Sequence, residues 1–222
     1  MLITHVGHSC LLLETEGARV LVDPGVFSHG FEELTGLDAV LVTHAHLDHY
    51  DAARLPVLLV ANDGARLIAE PETAAELART GLEVTALHPG ESATIGGLTV
   101  TASGGVHALI HDDIPRTGNI GLTFSAEGEP TVFHPGDSYE TAPAGVDVLA
   151  LPLMAPWAAL RDTVDFLRAV HPAVAFPIHD MLLAPFGRPV YLGNLGALAA
   201  EGTEIRDLAG AGPVALDAAG VA

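Results

Sequence analysis

The chain has 222 residues, 49% apolar and 17% charged, which is enough apolar mass for a substantial core and too much for a disordered chain. A formal charge of −19, from 28 acidic residues against nine basic ones, repels polyanions and argues against a nucleic-acid partner. All nine cations are arginine, so lysine Schiff-base and P-loop chemistry are excluded, and a lone Cys10 rules out an intrachain disulfide.

No apolar run reaches a membrane span, and the N-terminus carries neither a basic region nor a cleavable apolar one. The expectation is one cytoplasmic domain over residues 1–222. Residues 2–6, 10–15 and 19–22 read as a β-meander, with turns at Gly7-His8 and Glu16-Gly17-Ala18 and a break at Asp23-Pro24-Gly25. Residues 38–42 read as a buried strand and 51–55 as a short helix ended by Pro56. Residues 56–61 read as another strand, then 63–70 and 71–80 as helices, the second opened by Pro71 and stopped by Gly81. Strands are expected at 83–87, 92–95 and 98–102, followed by a loop at 103–119 and strands at 120–125, 130–133 and 146–151. Residues 158–170 show helical spacing of apolar residues, 173–178 a strand, 194–201 a helix and 204–207 a closing strand.

Thr43-His44-Ala45-His46-Leu47-Asp48-His49-Tyr50-Asp51 packs three histidines and two carboxylates into nine residues, directly after a strand. Side chains two apart on a strand share a face, so His44 and His46 can chelate one ion. If the chain turns after them, Asp48 and His49 diverge and can serve a second ion. Three adjacent imidazoles offer little packing benefit and repel one another when protonated, which favours metal binding over a structural role. Further candidates stand at other strand ends: His107, Asp137 and His179.

His44-Ala-His46-Leu-Asp48-His49 resembles the HxHxDH signature of the metallo-β-lactamase-fold hydrolases. That resemblance implies a four-layer αββα sandwich; periodicity by itself supports only α/β or α+β. It also implies a ligand set in which His44, His46 and His107 hold one ion, Asp48, His49 and His179 hold a second, and Asp137 bridges. His107 is preferred to His111 because it follows its strand directly. Asp23 resembles the Asp of the family's first motif, which supports the metal loops without ligating. His8 and His134 are expected to orient ligands by hydrogen bonds, and His111 to line the pocket mouth. Gly7-His8-Ser9, Val22-Asp23-Pro24, His134-Pro-Gly136-Asp137-Ser138 and Phe176-Pro177-Ile178-His179 resemble the branch containing L-ascorbate-6-phosphate lactonase and the UPF0173-type metal-dependent hydrolases.

On that resemblance the expected reaction is hydrolysis of a small-molecule ester, lactone or phosphoester by a metal-bridging hydroxide, with Asp48 and Asp137 as catalytic carboxylates. Two divalent ions are expected as cofactors, zinc or manganese by the chemistry of the donors. Arg116 and Arg188 are candidates to grip a carboxylate or phosphate, with Tyr50, Tyr139 and Trp157 as pocket walls. A phosphodiesterase or nuclease of the same fold is the alternative, weakened by the acidic charge. A di-iron redox protein is disfavoured, because flavodiiron relatives replace a first-motif histidine with Glu and add a flavin domain. The oligomeric state, a homo-oligomer included, is left open.

Overall fold

Cys10-Leu11-Leu12-Leu13 and Ala39-Val40-Leu41-Val42 are apolar at every position, which suits sheets covered on both faces. The computed structural model describes residues 1–216, so the last six residues of the expected domain lie outside the described residues. The first sheet is built from β1 (Leu2–Gly7), β2 (Cys10–Glu14), β3 (Arg19–Val22), β4 (Ala39–Val42), β5 (Arg66–Ala69) and β6 (Thr85–Ala86), adjacent in that order. The second contains β7 (Ser92–Ile95), β8 (Leu98–Gly104), β9 (Ile120–Ser125), β10 (Val132–His134), β11 (Val148–Pro152), β12 (Val174–Ile178) and β13 (Glu204–Ile205), again in sequence order. A last short strand, β14 (Val214–Ala215), returns to the first sheet beside β1.

Each sheet begins as an antiparallel meander and continues as parallel strands, from β3 to β6 in the first and from β10 to β13 in the second. Four of the parallel crossovers run through helices, α1 (Leu55–Ala61), α2 (Pro71–Arg79), α3 (Leu160–Val170) and α4 (Arg188–Leu198), while β3 to β4 and β10 to β11 are joined without an α-helix. Ile3, Leu11, Val20 and Leu41 of one sheet meet Val100, Phe124, Val148 and Phe176 of the other in a central core. Outside the first sheet, Leu21, Val40 and Leu67 pack on Leu55, Leu58 and Leu77 of α1 and α2. Outside the second, Leu149, Leu151 and Ala175 pack on Val164, Leu167 and Leu195 of α3 and α4. The layers run helix, sheet, sheet, helix, as expected.

Three local expectations are corrected. Residues 56–61 form a helix, not a strand, and Pro56 opens α1 instead of ending a helix before it. Proline is accommodated there because the first-turn amides have no intrahelical partner. Leu55 and Leu58 are buried while Val57 and Val60 are exposed, a helical spacing hidden in a uniformly apolar run. Residues 66–69 form strand β5, where helix was expected, because pairing with β4 buries Leu67, Ile68 and Ala69. Helix α4 starts at Arg188, six residues before the expected start, with proline again in its first turn.

Candidate metal centre

The residues singled out in the sequence converge on one rim of the sandwich. Asp23 follows β3, the His44–His49 segment follows β4, His107 follows β8, Asp137 follows β10 and His179 follows β12. His8 lies at the same rim, in the turn between β1 and β2. Backbone hydrogen bonds join the sheets at this rim: Ile120 N–H donates to Thr43 O at 3.0 Å, and His179 N–H donates to His8 O at 2.9 Å. Rigid strand ends thus aim the side chains.

Two groups of donor atoms result, one of His44, His46, His107 and Asp137 and one of His8, Asp48, His49 and His179, each with its atoms within 4.8 Å of one another. Asp137 touches both. Its Oδ2 lies 3.4 Å from His107 Nε2 and 3.1 Å from His179 Nε2, and its Oδ1 lies 3.0 Å from His49 Nε2. His179 Nε2 is also 3.3 Å from Asp48 Oδ2.

Hydrogen bonds on the far side of each ring decide which nitrogen faces inward. His179 Nδ1–H donates to Met154 O and His107 Nδ1–H to Ala108 O, both at 2.7 Å. His49 Nδ1–H donates to Asp23 Oδ2 at 2.7 Å. Thr43 Oγ1 donates to Asp23 Oδ2 at 2.7 Å and so accepts from His44 Nδ1–H at 3.0 Å. These four rings therefore turn an Nε2 lone pair toward the centre. Those four Nε2 atoms and Asp137 Oδ1 are buried without any hydrogen-bond partner. Five converging acceptors without a donor would be costly if left so, and divalent cations would satisfy them. The donor set fits the implied ions.

His8 differs. A backbone amide can only donate, so Met181 N–H at 3.4 Å makes His8 Nδ1 an acceptor and leaves its Nε2–H to donate to Asp48 Oδ2 at 3.1 Å. Although its nitrogen lies with the second group, His8 orients Asp48 and does not present a lone pair. His134 works the same way: Gly136 N–H donates to its Nδ1, and its Nε2–H donates to Ser9 O at 2.9 Å, clamping the turn that carries Asp137.

Electrostatics follow the packing. Burial disfavours charge on Asp137, but the neighbouring His49 and His179 hold it well below the usual carboxylate range. Burial likewise opposes protonation of His179, yet Asp137 and Asp48 raise it to about 9 in the absence of metal. His44 is held low by burial and by neighbouring His49.

Other candidates are placed elsewhere. His111 is exposed and accepts from Asp113 N–H at 3.1 Å, outside both donor groups. Arg116 donates from Nε to His107 O at 2.6 Å and pairs with Glu140, bracing the His107 loop. Arg188 is bound to Asp180 and Asp207. Tyr139 stacks on Phe166 and donates to Pro152 O at 2.6 Å, and Tyr50 is buried in the outer core, so neither forms a pocket wall. Trp157 does reach the site: its Nε1–H donates to Asp137 Oδ2 at 3.0 Å.

Sequence reasoning missed two supports. Asn119 Oδ1 accepts from Asp137 N–H at 2.9 Å while its amide donates to Pro135 O at 3.0 Å. Gly25 passes so close to the loop after β4 that a Cβ there would sit 1.8 Å from Asp48 O. The Asp23-Pro24-Gly25 motif carried that signal, as a break without an assigned role.

The β-lactamase superfamily domain matches residues 2–179. The chain belongs to this superfamily of metal-dependent hydrolases. Among its relatives, Protein Rv0786c of Mycobacterium tuberculosis is 49% identical over 88% of this chain and 91% of its own length. The UPF0173 protein PF0020 of Pyrococcus furiosus is 31% identical over 81% of this chain and 83% of its own. In fold the superfamily member resembles the crystal structure of isothiocyanate hydrolase from Delia radicum gut bacteria. The TM-score is 0.72 at 19% identity, covering 98% of this chain and 100% of that one.

Proposed function

We propose that this superfamily member is a binuclear metal-dependent hydrolase of a small-molecule ester, lactone or phosphoester. The observation that carries the reading is the set of five buried, unpartnered acceptors, with Asp137 in reach of both donor groups. His44, His46 and His107 would hold one ion, Asp48, His49 and His179 the other, and Asp137 would be shared. Relatives that match 62% of this chain are named UPF0173 metal-dependent hydrolases, which supports the reaction class.

When bound, the two ions supply a hydroxide nucleophile near neutral pH and polarise the scissile bond. The chain's own residues set the stage for that chemistry. Asp23 and Thr43 lock the tautomers of His49 and His44. His8 fixes the rotamer of Asp48, and Trp157 covers Asp137 with its indole, limiting water around a carboxylate that must stay ionised. A charge of −19 disfavours nucleic acid as substrate and supports a small molecule.

Metal content per chain, measured on protein purified without added metal, tests the reading against Asp137→Ala, with both proteins assayed on a small lactone and a phosphodiester. Two ions per chain in the wild type, with metal and hydrolysis both lost in the variant, is the expected result. Failure of the wild type to hold zinc or manganese when supplied would overturn it.

A further inference from the structure

Resting on the hydrolase reading, we infer that the substrate is uncharged and carries an apolar group of several carbons, bound on the loops around the metal centre. Six of the eleven exposed large apolar side chains among the described residues lie on just three segments, and those segments carry ligands. Leu47 stands between His46 and Asp48. Leu109 and Ile114 follow His107, and Met181, Leu182 and Phe186 follow His179. Phe186 is 84% exposed and Leu47 61%, so these side chains are not explained by the core. The Met181 amide is anchored to His8, which ties the third segment directly to the site.

The charged groups on these loops point the same way. The ions themselves would hold the scissile group, but an anionic group lying out on the loops would need a cation there, which arginine supplies as a bidentate donor. Arg116 is committed to His107 O and Glu140, and Arg188 to Asp180 and Asp207. Arg161, just beyond Trp157, pairs with Asp162. Asp112 and Asp113 are exposed beside His111, adding negative charge to the His107 loop. A phosphorylated substrate would meet repulsion where a neutral acyl group meets Leu, Ile, Met and Phe. This departs from the phosphorylated lactone that the sequence resemblance suggested.

Binding can be read without turnover, because Trp157 is the sole tryptophan and touches Asp137. Zinc-loaded protein is titrated with acetohydroxamic acid, octanohydroxamic acid and a hexose 6-phosphate, following tryptophan fluorescence. Full burial of one methylene strengthens binding about fourfold, so even partial burial of the chain predicts octanohydroxamate at least about tenfold tighter than acetohydroxamate. Hexose phosphate is expected to bind more weakly than either. A Met181→Ser/Phe186→Ser variant with wild-type zinc content is expected to narrow the ratio between the two hydroxamates. Equal binding of the two hydroxamates, or tighter binding of the phosphate, overturns the inference while leaving the metal centre intact. A wild-type dimer that the variant converts to monomer, with the ratio unchanged, assigns the rim to self-association and also overturns it. If neither hydroxamate binds the zinc-loaded protein, the metal-centre reading fails first and takes this one with it.

Discussion

Asp23 has no exposed surface, yet it accepts from Thr43 N–H at 2.8 Å, from the Thr43 hydroxyl and from His49 Nδ1–H. It orients two histidines of different donor groups from one carboxylate. Asp23→Asn keeps the size but replaces one acceptor oxygen by a donor amide, so His49 loses its tautomer lock. The expected outcome is zinc affinity weakened roughly 10–100-fold, measured by competition with a chromophoric chelator. The His107 and His111 pair gives a second test at this scale. His107→Ala removes an inward Nε2 and is expected to lower metal stoichiometry, whereas His111→Ala, on an exposed loop, is expected to leave it at the wild-type value. Metal analysis of the two variants side by side checks the assignment.

Between elements, the contact of greatest consequence is the packing of the turn after β3 against the loop after β4. Val26 N–H donates to Leu47 O and Asp51 N–H to Pro24 O, both at 2.9 Å, so the two segments run in tight backbone contact. Gly25→Ala would place a methyl group inside the van der Waals radius of Asp48 O. Neither side is a flexible side chain, so the Asp48–His49 turn must move. A stability loss of about 1–3 kcal/mol is expected by urea titration, together with weaker metal binding. Deeper in the sandwich, Phe176 of β12 is fully buried between the sheets, two residues before Ile178 and three before His179. Phe176→Ala is expected to cost about 3–5 kcal/mol in the same titration.

For the whole molecule, metal and protons compete for the same rim. Burial opposes protonation of His49 and His179, but Asp137 with Asp23, and Asp137 with Asp48, outweigh it, so both hold protons above the ordinary value of 6.5 and His179 to about 9. A raised histidine contributes stability that is complete below 6.5 and is lost as pH rises through about 9. Metal-free protein is therefore expected to lose stability across that window. Metal must displace those protons and so binds more tightly over the same range. Thermal melts with chelator and with zinc, run from pH 6 to 9, should show a gap that widens with pH.

The HxHxDH segment was legible in the sequence as a cluster of donor atoms, because a strand's two-residue period puts His44 and His46 on one face and the dense histidine run has little packing value. Asp137 and His179 stood out locally only as donors at strand ends; their grouping with that segment, like the four-layer sandwich, came from the family resemblance, since strand and helix runs alone supported only α/β or α+β. Tertiary structure decided what local pattern could not. The run Pro56-Val57-Leu58-Leu59-Val60-Ala61 is apolar throughout, so only packing against the first sheet selects helix; residues 66–69 become strand because β4 offers a parallel partner. Arg116 and Arg188 were attractive as anion clamps, and only the fold brings Glu140, Asp180 and Asp207 against them. Asn119 and Trp157 support Asp137 across 18 and 20 residues of chain. The division has one physical cause. Periodicity records which side chains share a face, while a hydrogen bond between residues distant in sequence exists only once the core between them has closed.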